Sequence, residues 1–213
     1  MDERRAELEA LYRRCAALRQ RLQDAALRAV PLPKLREHAE RLGLPVAEEM
    51  AQISDYELRF AFDLAIYTAL PGRSRAIDRA VRQHRNAEGE AMLVLRALEG
   101  AWFSIFRVLG PHAEAGLLLE DTLLGGEVWV LDEALTESAA AGTVLAARLA
   151  RVRGFAITCG VTATLDEPIL MRCRRIASEA GVSAADLTAD PRFALMIYQL
   201  ALGFQIGDEL GAA

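Results

Sequence analysis

Lysine and asparagine are almost missing from this chain, which holds Lys34 and Asn86 and no other residue of either type. Both have AT-rich codons, so their loss marks a GC-rich, bacterial coding sequence. The many arginines then reflect codon usage as much as phosphate binding, well as a guanidinium suits such sites. Cysteine is scarce too: Cys15, Cys159 and Cys173 stand far apart with no C-x-x-C pair. An odd, sparse set excludes a secreted disulfide framework and points to reduced thiols. The opening Met-Asp-Glu-Arg-Arg lacks the apolar core of a signal peptide, and no apolar run approaches the roughly eighteen residues of a membrane span. The expectation is a cytoplasmic protein with no membrane contact.

Catalytic and metal motifs are missing as well. The chain contains no G-x-G-x-x-G, Walker loop, H-E-x-x-H or G-x-S-x-G. His38, His84 and His112 fall on three different elements without ligand spacing to the cysteines. Arg172, Arg174 and Arg175 surround Cys173 and favour a thiolate, but no base accompanies it. No catalytic residue, metal or cofactor is expected. A net charge of −5 argues against a nucleic-acid footprint over the whole surface.

With 213 residues, 53% apolar and 26% charged, the chain can bury a sizeable core. Helical periodicity dominates both ends. In 2–29, Leu8, Leu11, Cys15, Leu18, Leu22, Ala25 and Ala29 alternate by three and four residues, an a/d seam flanked by charged residues. Leu8, Leu11, Cys15, Leu18 and Leu22 are therefore candidate interface residues. The seam fits either packing on the protein's own body or a dimeric coiled coil. Pro31 and Pro33 end it. Ser54 and Glu57 form a capping box for a helix reaching about Leu70, and a further helix begins near Ser74.

From Trp102 to Thr164 the pattern changes to five strand-like runs separated by glycine-containing turns: 102–109, 116–121, 127–132, 143–151 and 155–164. The segment Ala134–Arg153 also permits a helix. The fold expected is α+β, a mostly helical body with a small antiparallel β-barrel-like module of about five strands. Its parts are an amphipathic, coiled-coil helix (1–30), a helical region (31–100), the antiparallel β-module (101–164) and a C-terminal helical arm (165–213).

The strongest polar constellation is Asp55, Arg59, Asp63, Tyr67, Arg73, Arg75, Asp78 and Arg79. Asp55, Arg59 and Asp63 lie four apart on one helical face, suited to i,i+4 ion pairs. The turn Pro71-Gly72-Arg73-Ser74-Arg75 can fold Asp78 and Arg79 back toward Asp63. These eight form either a salt-bridge network between two helices or an anion site with the amides of the second helix.

The middle also carries the segments Phe106-Arg107-Val108, Leu119-Glu120-Asp121-Thr122-Leu123-Leu124-Gly125-Gly126 and Gly142-Thr143-Val144-Leu145-Ala146-Ala147-Arg148-Leu149. In these it resembles uncharacterised bacterial proteins, some of which carry a C-terminal cysteine/histidine SEC-C motif that chelates zinc. This chain has no such cysteine/histidine tail, so the resemblance implies a β-module and no zinc.

Three functional readings follow. One is a non-enzymatic interaction or regulatory protein, a homodimer through the N-terminal helix with a further protein partner. Another is an enzyme or sensor that binds a small anion at the Arg73/Arg75/Asp78 turn. The last is single-stranded nucleic-acid binding by the β-module, where Trp102, Phe103, Phe106, Trp129 and Phe155 accompany Arg107, Arg148, Arg151 and Arg153. Nucleic acid is the least expected of these partners.

Overall fold

The computed structural model describes residues 2–45, 53–70, 72–179 and 181–203. Five helices come first: α1 (Asp2–Arg28), α2 (Leu32–Arg41), α3 (Asp55–Tyr67), α4 (Ala76–Gln83) and α5 (Gly89–Glu99). Strands β1 (Trp102–Pro111), β2 (Leu117–Asp121) and β3 (Glu127–Val130) follow, then α6 (Glu133–Ser138), β4 (Val144–Val152) and β5 (Phe155–Leu165). Helices α7 (Glu167–Glu179), α8 (Ala184–Ala189) and α9 (Pro191–Ala201) close the described chain. The fold is α+β. Pro71 of the expected turn, and residues 204–213 of the expected C-terminal arm, lie outside the described residues.

The ambiguous segment divides in two. Asp132 caps α6 by accepting the Leu135 amide at 2.9 Å, and the alanine-containing run from Val144 is a strand because β1 and β5 pair with it on both sides.

The strand order β1-β2-β3-β5-β4 returns to β1, so every strand has two neighbours. Four pairings are antiparallel, but β3 and β5 run parallel where Val130 meets Ala156. The expected wholly antiparallel module is thus a mixed sheet. The cause is parity. Strands that alternate in direction around a ring of odd number must leave one like-oriented pair. That pair is short, and the Leu131 amide extends it by donating to the Ala156 carbonyl at 2.9 Å.

Alternate strand residues meet in one apolar cluster, including Phe106, Leu119, Val128, Leu145 and Leu149, with Leu135 of α6 added to it. The intervening residues face two helical layers. On one side α1, α4 and α5 pack with Val152 and Ile157; on the other α2, α3, α7 and α9 pack with Phe103, Ile105 and Val161. A bulge interrupts β4 and β5 between Ala147 and Leu149, where Gly160 takes φ +96°.

Helix α1 turns its apolar stripe toward its own chain. Cys15, Leu22 and Ala26 are buried against the layer holding Ile77, Val94 and Leu95, and Leu8, Leu11 and Leu18 are half-buried against it. The stripe runs from Leu22 to Ala26, leaving Ala25 half-buried and Ala29 exposed. That drift is what a straight helix of 3.6 residues per turn shows against a 3.5 repeat.

Candidate functional site

The eight residues expected to form one constellation separate into distinct environments. Asp63 and Tyr67 lie on the buried face of α3, while Asp55 and Arg59 are exposed on it. Asp63 takes its partner from β4 instead of from Arg59. Arg148 donates from Nε and Nη2 to both carboxylate oxygens at 3.0–3.2 Å, and the Tyr198 hydroxyl of α9 adds a bond at 2.9 Å. The guanidinium also lies 4.7 Å over the Tyr67 ring. Burial opposes the charge on Arg148, but the charge and hydrogen bonds of Asp63, together with Tyr198 and Cys159, outweigh it, so the arginine's pKa is raised. Burial, then the same carboxylate, raises the Tyr198 pKa.

The network extends to α1 through the bulge. Gln23 donates to the Tyr67 hydroxyl at 3.2 Å and to the Cys159 carbonyl at 2.8 Å, and Arg19 donates to the Thr158 carbonyl at 2.5 Å. Both carbonyls come just before Gly160, whose φ of +96° is the left-handed region that favours glycine, and the Arg19 guanidinium lies in ordinary contact distance of it, 3.7 Å from where a Cβ would stand. Burial pushes the Cys159 thiol up to about 11, the reverse of an activated nucleophile. Cys173 behaves likewise, pushed up to about 11 by burial despite Arg172. A buried pair whose carboxylate also accepts from Tyr198, and whose guanidinium lies over the Tyr67 ring, works as a staple joining α3, β4 and α9.

Arg75 and Asp78 close on each other. The Asp78 carboxylate accepts from the Arg75 guanidinium at 2.6 Å and from the Arg75 amide at 2.9 Å, capping α4. Arg75 donates further to the Glu99 carbonyl at 2.7 Å. This pair does not reach Asp63, contrary to the expected fold-back.

Arg73 and Arg79 instead line a cleft of about 840 Å³ between α2, the α3–α4 turn and the α8–α9 junction. Lys34, Arg41 and Arg192 bring further cations, against the carboxylates Glu37, Asp186 and Asp190. Lys34 is held by Glu37 at 2.5 Å and Arg192 by Asp190 at 2.7 Å. Arg79 donates to the Ser74 carbonyl at 2.7 Å, which positions the side chain and leaves its charge uncancelled. Among the described residues Arg41 and Arg73 make no ion pair. His38 also lines the cleft, half-buried, and burial followed by Arg41 lowers its pKa.

A smaller groove of about 360 Å³ lies between α1 and α6, where both cations, Arg5 and Arg13, are paired and the carboxylates Glu9, Asp132, Glu133 and Glu137 are in excess. Arg13 meets Glu133 at 2.7 Å, Arg5 meets Glu9 at 3.0 Å, and Asp132 accepts the Thr158 hydroxyl while capping α6. The aromatics that suggested a nucleic-acid surface are largely inside. Phe103, Phe106 and Phe155 are buried, Trp129 is stacked against His112 at 4.1 Å, and Arg151 covers Trp102 at 5.3 Å.

Sequence spacing missed Arg148, Tyr198, Lys34, His38, Arg41 and Arg192 as partners. One signal for Arg148 was available: it is the single charge in the apolar run Val144–Ala150. A charge inside such a strand demands a buried partner.

A ring of five paired strands between two helical layers defines an α+β protein with a stapled core and a cation-rich cleft. The chain belongs to a family of unknown function, DUF7986, whose profile matches residues 7–175. No curated protein and no solved structure matches it.

Proposed function

We propose that this protein binds an anionic ligand in the cleft between α2, the α3–α4 turn and α9, and acts as a binding or sensing protein. The observation that carries the reading is the charge balance of the lining: five cations face three carboxylates, and two of the carboxylates are already paired. Cations gathered in a concave site from separate elements repel one another, and a bound anion relieves that repulsion. The self-associating alternative loses its motivation, because Cys15 and Leu22 are covered by the chain's own helices.

Titration with inorganic phosphate and with acetate, followed by amide chemical shifts at low ionic strength, tests the proposal. Saturable shifts centred on Arg41, Arg73 and Arg79 are expected, weakening with added salt and lost in Arg41→Gln/Arg73→Gln. Binding should also raise the His38 pKa, since an anion favours imidazolium. Absence of saturable shifts with both anions, or shifts indifferent to the double substitution, overturns the reading.

A further inference from the structure

The cleft's lining divides by chemistry, and the division says more than its charge. Arg41, Arg73 and Arg79 supply the cationic part, while Ala65, Ala69, Leu70 and Pro191 supply apolar wall. Leu70 is 69% exposed, and Leu32, next to the lining residue Pro31, is 56% exposed. Two large aliphatic side chains left in water beside arginines have no use for a small hydrated anion, which would touch the guanidinium groups alone. The volume of about 840 Å³ also far exceeds a single headgroup and falls in the range that encloses a drug-sized molecule. A nucleotide fits less well, because the lining has no phenylalanine, tyrosine or tryptophan on which a base would stack.

We infer that the ligand is an amphipathic anion: a carboxylate or phosphate head held by Arg41, Arg73 and Arg79, on an alkyl tail laid along Leu70, Ala69 and Pro191. This rests on the anion-binding reading above. The head loses its hydration to charge-assisted hydrogen bonds, and the tail removes Leu70 from water. Free fatty acids, alkyl phosphates and lipid headgroups share this chemistry. The concave shape, with its cations and apolar wall on facing elements, selects the monomer over a flat membrane surface.

Isothermal titration of the full chain with hexanoate, octanoate and decanoate, each below its micelle concentration, tests the inference. Inorganic phosphate, decanol and phosphatidylglycerol vesicles are the comparison arms. Affinity should rise about fourfold for each methylene added and buried. Decanol should bind about ten- to a hundredfold more weakly than decanoate, having no charge for the arginines. Leu70→Ser should flatten the chain-length series while leaving phosphate binding intact. Arg41→Gln/Arg73→Gln should weaken all acids and keep the increment per methylene. If phosphate binds and chain length changes nothing, the amphipathic ligand is wrong and the anion site stands. If no anion binds, both fail. Binding to vesicles without binding to monomeric decanoate overturns the monomer assignment.

Discussion

Replacing Asp63 by alanine removes the carboxylate that satisfies Arg148 and accepts from Tyr198. The side chains of Arg148 and Asp63 are 7% and 1% exposed, so this is not the surface regime in which an ion pair contributes about 0–1 kcal/mol. An uncompensated buried guanidinium costs about 3–5 kcal/mol, which for a chain of this length lowers Tm by roughly 6–20 °C. Arg148→Met should cost a similar amount by stranding the carboxylate instead. The triple variant Asp63→Leu/Arg148→Met/Tyr198→Phe leaves no orphaned polar group and should be about 2–3 kcal/mol more stable than either single variant. Urea unfolding followed by circular dichroism, with midpoints extrapolated at constant slope, measures all four chains. Single variants that each cost under about 1 kcal/mol, and that add in combination, would refute the staple.

Three further outcomes follow from the same structure. The Cys159 thiol rises from an ordinary 9.0 to about 11 in the folded chain. Between those values the unfolded chain has lost a proton that the folded chain keeps, so stability should fall by roughly 2–3 kcal/mol as pH climbs from 9 to 11. Cys173 carries the same shift, so Cys159→Ala should remove about half of the decline that the two thiols give together in urea titrations across the range, and Cys159→Ala/Cys173→Ala should remove both shares. Gly116→Ala should cost about 3–5 kcal/mol, because its φ is +73° and a Cβ would sit 2.2 Å from the Val130 carbonyl oxygen. Gly142→Ala, at φ +87° with open space around it, should cost only about 1–2 kcal/mol on the same denaturation curve. A chain starting at Pro31 should lose its cooperative unfolding transition, since removing α1 bares Ile77, Val94, Leu95 and Ile157; a folded monomer in sedimentation would contradict the packing described for α1.

Much of the secondary structure is readable from residues close together in sequence. The run 102–109 pairs as Trp102–Pro111, and 155–164 as Phe155–Leu165, because β-branched and aromatic residues bounded by glycine satisfy strand geometry locally. The Ser54–Glu57 capping box forms as expected, with the Ser54 amide donating to Glu57 at 2.8 Å. Spacing failed at Asp63. The i,i+4 rule offers Arg59, but Arg59 is on the solvent side, and a buried carboxylate pairs with whatever cation the core brings to it. Arg148 does so from 85 residues away. The Arg75/Arg73 turn was divided in the same way: Arg75 had Asp78 within one helical turn, whereas Arg73 had no neighbour and was left to the cleft.

Helix, strand and turn positions, the charge-poor interior and the apolar stripe of α1 all follow from local pattern, since periodicity records how a side chain sits relative to its own backbone. What covers a stripe, which cation meets a buried acid, and where surplus arginines gather are properties of surfaces brought together from distant segments. The ring of strands settles the first two by placing β4 and β5 between α1 and α3. Its odd number of strands forces the parallel β3–β5 seam that no alternation of residues encodes. The cleft exists only because α2, α3, α4 and α9 converge, and its excess of positive charge is visible only there.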